Sequence, residues 1–324
     1  MNPGPDHETL LRDLIGSALR ADEPMSRHTT LRVGGPARWF WAASDVDTLA
    51  RTLSACRSAG VPYLFLGHGS NVLMSDRGYP GLVIQNRCKG VSVGPETVCE
   101  SGASLGALFH AAARAGYSGL EWAVGIPGTV GGALVSNAGA YRGNIGPLVR
   151  TIRIVEDGVD QTVGAEWMEF SYRDSKLRRA GVTPTVILSC TLSLAYEGNP
   201  DTIFARAKEY QEQRKSKQPY APSAGSFFKN VISSELAQSL DTLSPGMKAA
   251  GVVPAGYLIE ACGLKGARVG GAQVAEKHAN FLINPERHAT AGDFRNLAEM
   301  VKTAVRARFG VTLEEEVLYL GEWE

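Results

Sequence analysis

Between Ser101 and Tyr141 glycine is dense, and one run there, Gly125-Ile126-Pro127-Gly128-Thr129-Val130-Gly131-Gly132-Ala133, constrains the fold more than any other stretch. Four glycines and a proline in nine residues predict neither an ordinary helix nor an ordinary strand, because proline removes a donor and glycine gives up backbone entropy in either. Such a run instead lets backbone N–H groups approach an anion or a flat ring closely, with positive φ where needed. Tight turns between short strands are the alternative for each glycine taken singly.

The elements around this run alternate. A first helix is expected over His7–Leu19, where Leu10, Leu11, Leu14, Ile15 and Leu19 share a stripe. A second is expected from a Ser44 or Asp45 cap to a stop at Gly60, presenting Val46, Leu49, Leu53 and Cys56. Strand Val61–Leu66, glycine loop GHGSN (Gly67–Asn71) and strand Leu82–Gln85 follow, an order that indicates an α+β or α/β layer with a ligand loop at a strand's end. A helix over Ser104–Ala115, strands Thr151–Val155 and Thr185–Leu194, and a charged helix from Asp201 to about Lys215 come next, and Pro219 and Pro222 forbid its continuation. Ala255–Cys262 is expected as helix and Ala279–Ile283 as strand. Thr290–Phe309 carries the clearest helix signature, with Thr290 as cap, Asp293 three residues on and Gly310 as stop.

Composition narrows the function classes. The 324 residues are 44% hydrophobic, enough to bury sizeable cores in two or three domains. Lysine plus arginine equals aspartate plus glutamate at 33 each, so no whole-protein field favours nucleic acid or an anionic membrane. Apolar runs fall far short of the roughly 20 residues that span a bilayer, and the N-terminus has no signal-peptide pattern. A soluble cytoplasmic protein is expected. Five cysteines lack C-x-x-C spacing and six histidines lack ligand spacing, so no metal is expected.

Several segments carry chemistry. SAGSFFKN (Ser223–Asn230) sets a hydroxyl, two aromatics, a cation and an amide behind a flexible glycine, and Ser226 is the candidate for chemistry. A turn entering a buried strand would explain the same letters. Leu313–Leu320 is expected as a strand in which Glu316 shares a face with Leu318 and Leu320; a carboxylate there needs a partner, a substrate or a catalytic duty. GHGSN only loosely matches a dinucleotide fingerprint, yet its main-chain donors, with Ser70 and Asn71, suit a pyrophosphate. Arg173 in FSYRDS (Phe170–Ser175) could grip a carboxylate or phosphate bidentately, or pair with Asp174 on the surface. Arg214, Lys215 and Lys217 could neutralise a diphosphate or simply end a helix.

Taken together, GHGSNVL, GIPGTVGGA, NAGAY (Asn137–Tyr141), FSYRDS, SAGSFFKN, KGARVGGA (Lys265–Ala272), HANFLIN (His278–Asn284) and FGVTLEEEV (Phe309–Val317) resemble, in the same order, the UDP-N-acetylenolpyruvoylglucosamine reductase (MurB) family. The resemblance runs from about Thr29 to Gly321. It implies an α+β fold: a two-part FAD-binding module of the vanillyl-alcohol-oxidase-like type, 1–90 with the C-terminal strand 311–324 and 91–200, plus a substrate domain at 201–310. It further implies noncovalent FAD, NADPH as co-substrate, and reduction of the enolpyruvyl ether of UDP-N-acetylglucosamine to a lactyl ether, giving UDP-N-acetylmuramate for peptidoglycan. The sugar nucleotide would be the partner of a monomer that binds neither nucleic acid nor membrane.

By the same resemblance, Ser226 matches the proton donor, and Arg173 and Glu316 the pair that stabilises the enolate. Gly67, His68, Gly69, Ser70, Asn71, Gly125, Ile126, Pro127, Gly128, Thr129, Gly131 and Gly132 match the cofactor segments. Tyr172, Lys217, Lys229 and Asn230 match substrate positions. Two departures stand out. Val231 replaces the usual proline after FKN and precedes a longer stretch, Ile232–Val253, expected as an enlarged surface loop. The segment between FSYRDS and SAGSFFKN is short, as in the class lacking the tyrosine-bearing insertion. The alternatives are another FAD-dependent oxidoreductase on the same scaffold, such as a hydroxy-acid oxidase with flavin tethered at His68, or a non-catalytic nucleotide-sugar-binding protein.

Overall fold

A computed structural model describes residues 5–179 and 185–323; the ends of the domains assigned above at residues 1–4 and at Glu324, and residues 180–184 within the second, lie outside the described residues. The chain divides into two units, one of residues 1–23, 37–68 and 79–216, the other of 24–36, 69–78 and 217–324.

In the first unit, the Asp45 carboxylate accepts the Thr48 amide at 2.7 Å and Gly60 turns left-handed at φ +68°, so the helix Val46–Ala59 begins and ends on its capping residues. Leu49, Leu53 and Cys56 are fully buried on its inner face. It links strands Pro36–Ala43 and Tyr63–Leu66, which both pair in parallel with Tyr79–Asn86 lying between them, and Arg20–Pro24 completes this four-stranded sheet. A second, antiparallel sheet has the order Val159–Gly164, Val149–Glu156, Thr185–Ser193, Glu96–Glu100, Val91–Ser92. Helix Leu105–Arg114, capped by Ser104, and helix Pro200–Lys217 bury Leu108, Phe109, Ile203 and Ala207 in the core beside it. The first helix is shorter than its apolar stripe suggested: it spans Pro5–Ile15, and Gly16 at φ +59° opens a 3-10 turn that leaves Leu19 outside it.

In the second unit, strands Ser223–Ser226, Phe281–Ile283, Ala272–Val274 and Arg268–Val269 form an antiparallel sheet in that order. Helix Ala291–Phe309 packs Phe294, Leu297, Val301 and Val305 into the core at zero exposure. Its start is capped twice over. Thr290 and Asp293 form a reciprocal capping box, and the Asp76 carboxylate accepts the Ala291 and Gly292 amides at 2.8 and 2.9 Å. Ile232–Val253 is not the enlarged loop anticipated from sequence. Val231–Ile232 pairs with Val252–Val253, and between them stand two short helices, Ser234–Ser239 and Pro245–Ala250. Ser233 caps the first, Pro245 opens the second and Gly251 ends it at φ +63°, start and stop signals that make helix cheaper than irregular chain. Among the described residues no helix is long and apolar enough to cross a membrane.

Candidate active site

Ser226 owes its presentation to an irregularity. Ser223 pairs with Ile283 and Ser226 with Phe281, so the serine strand holds one residue more than its partner, and Gly225 takes up the bulge at φ +79° with open space around it. A bulge bends the strand and re-aims the side chain beside it. The next two residues are clamped by Asn280, which is 3% exposed: its carbonyl accepts the Phe227 amide at 2.7 Å, its Oδ1 accepts the Phe228 amide at 3.0 Å, and its Nδ2 donates to the Phe228 carbonyl at 2.9 Å. Phe227 and Phe228 are fully buried and anchor the segment.

Glu316 meets this segment through main chain. Its amide donates to the Phe227 carbonyl at 2.8 Å, the Lys229 amide donates to the Glu314 carbonyl at 2.8 Å, and Phe228 bridges Glu315. Glu316 thus stands beside the residue that follows Ser226, half-buried like the serine. This corrects the expected Leu313–Leu320 strand, because only Leu318–Leu320 is strand, paired in parallel with Val72–Met74. The backbone around Glu316 spends its hydrogen bonds on Phe227–Lys229, so strand alternation does not orient the carboxyl. Asn71 completes the fixation, donating from Nδ2 to the Glu316 carbonyl at 3.0 Å while its own carbonyl accepts the Leu318 amide.

The neighbouring polar residues are partly committed. The Lys229 ammonium pairs with Glu314, and Asn230 Oδ1 accepts the Ala255 amide at 3.2 Å. Lys217 ends its helix, and its charge reaches His278, whose proton affinity is held below the ordinary value first by burial.

Arg173 belongs to the first unit. Ser171 and Asp174 exchange backbone hydrogen bonds at 3.1 and 3.3 Å, closing a turn with Tyr172 and Arg173 at its tip, and Arg173 sits in the left-handed region at φ +53°. A non-glycine residue held there is uncommon and marks an over-determined position. Asn137, 5% exposed, donates to the Ser171 carbonyl at 2.7 Å and accepts the Gly146 amide at 3.2 Å. Arg173 itself donates to the Gly139 carbonyl and lies 5.3 Å from the Tyr172 ring centre. The NAGAY segment is therefore the mount of the arginine turn. Tyr172 is 47% exposed, and Asp174 pairs with Arg179 at 3.0 Å.

The glycine segments also meet. A Cβ on Gly67 would come 2.5 Å from Thr129 Oγ1, so the end of the GHGSN loop and the 125–133 run touch at a contact only glycine permits. The run departs from the expectation that it holds no helix: Val130–Val135 is helical, with Thr129 accepting the Gly132 amide at 3.2 Å as cap. The amides of Ile126, Val130 and Gly131 bond to the carbonyls of Ala123, Ala103 and Ser101. Among the described residues, the amides of Gly125, Gly128 and Thr129 have no internal acceptor, and these are the run's donors available to an anion. Main-chain N–H groups flanked by bare glycines fit the pyrophosphate of a dinucleotide. Gly69, at φ +63°, packs in the other unit with its carbonyl accepting both the amide and hydroxyl of Thr30.

Sequence reasoning missed Asn280, Asn71's contact with Glu316, and the mounting role of Asn137. A signal existed for Asn280: an amide inside the apolar run Phe281–Ile283 and Ala279 must find partners when buried. Among the described residues no His, Cys, Asp and Glu grouping is arranged to hold a metal.

Comparison with known proteins places this architecture. A model of the UDP-N-acetylenolpyruvoylglucosamine reductase C-terminal domain matches residues 217–320, and an FAD binding domain model matches residues 37–156. The UDP-N-acetylenolpyruvoylglucosamine reductase of Acaryochloris marina is 40% identical over 302 residues, covering 91% of this chain and 90% of that protein. The enzyme of the same name from Moorella thermoacetica is 41% identical over 305 residues, covering 93% of each. The crystal structure of UDP-N-acetylenolpyruvylglucosamine reductase (MurB) from Thermus caldophilus superimposes with a TM-score of 0.72 at 32% identity, over 91% of this chain and 97% of that one. With an α+β fold, an FAD-binding domain match at 37–156, a C-terminal domain match at 217–320 and a relative 40% identical over 91% of it, the chain belongs to the UDP-N-acetylenolpyruvoylglucosamine reductase (MurB) family.

Proposed function

We propose that the protein reduces UDP-N-acetyl-enolpyruvylglucosamine to UDP-N-acetylmuramate for peptidoglycan synthesis, as an FAD-dependent oxidoreductase using NADPH. The observation that carries the residue assignment is the Glu316 amide bonded to the Phe227 carbonyl, which sets a carboxyl-bearing residue next to the bulge that presents Ser226.

Bound FAD would supply hydride chemistry. Main-chain donors at Gly125, Gly128 and Thr129, with Gly67, His68, Gly69, Ser70 and Asn71, would hold its pyrophosphate and ring; Ile126, Pro127, Gly131 and Gly132 shape that surface. Hydride addition to the alkene carbon remote from the carboxylate leaves enolate charge on the substrate. Arg173 offsets that charge, and Glu316, carrying a proton, donates a hydrogen bond to it. Ser226 then delivers its proton to the carbon beside the carboxylate, and the half-buried site with its charge-bearing neighbours supports the transient alkoxide. Tyr172, Lys217, Lys229 and Asn230 contact the nucleotide and sugar. The division into 1–90 with 311–324, 91–200 and 201–310 assigns two parts to FAD and one to substrate, in a cytoplasmic monomer.

Anaerobic reduction of the flavin with NADPH, followed by the enolpyruvyl sugar nucleotide, tests the reaction class. Reoxidation without oxygen is the expected result. A flavin that stays reduced would refute the proposal.

A further inference from the structure

Arg214 lies in the last turn of the helix Pro200–Lys217, and its surroundings differ from those of other arginines in the same unit. Arg153, Arg179 and Arg206 each hold a carboxylate, at 2.6, 3.0 and 2.6 Å. Among the described residues no carboxylate pairs with Arg214. Its Nη2 donates weakly to the Trp122 carbonyl at 3.4 Å, and its Nε is buried with no hydrogen-bond partner. A half-buried guanidinium whose Nε is shut off from solvent without a counter-charge is unfavourable, so the position implies an anion that arrives from outside.

The side chain is held for that arrival. Its guanidinium carbon lies 5.3 Å from the centre of the Tyr141 ring. Tyr141 is stacked on Tyr210 at 4.3 Å and 10°, and its hydroxyl donates to the Tyr210 carbonyl at 3.1 Å. On another side, a Cβ on Gly125 would come 3.3 Å from Arg214 Cδ, so glycine leaves room for the arginine stem. Burial most of all lowers the proton affinity of Arg214, Tyr141 opposes it, and the positive charge of Arg173 adds a smaller lowering. Arg173 donates to the Gly139 carbonyl while Arg214 lies over the Tyr141 ring, so both guanidinium groups gather on the NAGAY segment, an arrangement suited to a ligand whose negative charge is shared by two oxygens.

Resting on the function proposed above, we propose that Arg214 is a second guanidinium for the enolpyruvyl carboxylate, acting beside Arg173 and positioned by the Tyr141–Tyr210 stack. Hydride addition turns that carboxylate into an enediolate with charge on both oxygens. Each guanidinium then faces one of them, so Arg214 contributes to binding and, as charge builds, to the rate.

The test uses flavin-loaded Arg214→Gln and Arg214→Lys, titrated calorimetrically with the enolpyruvyl nucleotide and with UDP-N-acetylglucosamine, which lacks the carboxylate. Arg214→Gln is expected to weaken the enolpyruvyl nucleotide by about 10- to 100-fold and UDP-N-acetylglucosamine by less than about twofold, with flavin retained on gel filtration and Arg214→Lys in between. Equal weakening of both nucleotides would assign Arg214 to the diphosphate, loss of flavin would assign it to the cofactor, and no weakening would leave it without a role; each overturns the proposal. Wild-type protein that binds neither nucleotide would overturn the function itself, and this assignment with it. If Arg214→Gln does not fold, Tyr141→Leu removes the ring that supports the guanidinium and carries the same expectation at smaller size.

Discussion

Replacing Asn280 by alanine should destabilise the second unit and misplace Ser226 together. The side chain satisfies both the amide and the carbonyl of Phe228, at 3.0 and 2.9 Å, in a residue that is 1% exposed. Truncation leaves two buried backbone groups without partners, each costing about 1–3 kcal/mol, so the loss is about 2–6 kcal/mol. Against the 5–15 kcal/mol typical of a folded domain, that is a large fraction. Urea unfolding followed by tryptophan fluorescence measures it. Asn280→Asp refines the argument: it restores an acceptor for the Phe228 amide but turns a carboxylate oxygen toward the Phe228 carbonyl, so at neutral pH it should be no more stable than the alanine variant. In both variants that remain folded, turnover of the sugar nucleotide should fall more than flavin reduction by NADPH, because the side-chain clamp holds Phe228, two residues after Ser226. A loss below about 0.5 kcal/mol for Asn280→Ala, within the range of surface substitutions, would refute the reasoning.

Three further outcomes follow from the same structure. Ser226→Ala should accept electrons from NADPH at the wild-type rate yet lose about 10²–10⁴-fold in turnover, since only the second half-reaction needs its proton; normal steady-state turnover would remove Ser226 from the mechanism. Gly69→Ala should lower flavin occupancy, read from the visible absorbance per protein, because its φ is +63° and a Cβ would lie 2.1 Å from the His28 carbonyl oxygen; full occupancy would show that the loop tolerates the shift. His278 has its folded-state value depressed below 6.5 by burial, so the unfolded state binds the proton more readily, and stability present above about pH 6.5 should be lost as pH falls through the folded value. His278→Gln should flatten that part of the pH–stability curve, and an unchanged slope would assign it to other groups.

Much of the helical framework was legible because caps are local chemistry. Asp45, Gly60, Ser104, Thr290 and Gly310 act on amides and carbonyls within a turn of themselves, so their identities announce the ends of their helices. The failures have equally local explanations. Gly16 and the pair Pro245 and Gly251 outweighed the stripe and the loop expected around them. The run 125–133 hid a short helix because Thr129 can cap it while Gly131 packs closely against Ser101 and Thr129 itself packs against Gly67.

The candidate site divides along the same line. Residue types and motif order by themselves determined which side chains bear the chemistry, since a hydroxyl, a guanidinium and a carboxyl can be read as letters. Only the tertiary structure decided that Glu316 lies against Phe227, that Asn280 and Asn71 hold that arrangement, and that the half-buried Arg214 keeps its Nε buried without a partner. The reason is physical: these contacts are made largely by backbone amides and carbonyls, which every residue carries alike, between segments distant in the chain, and burial is a property of the packed whole.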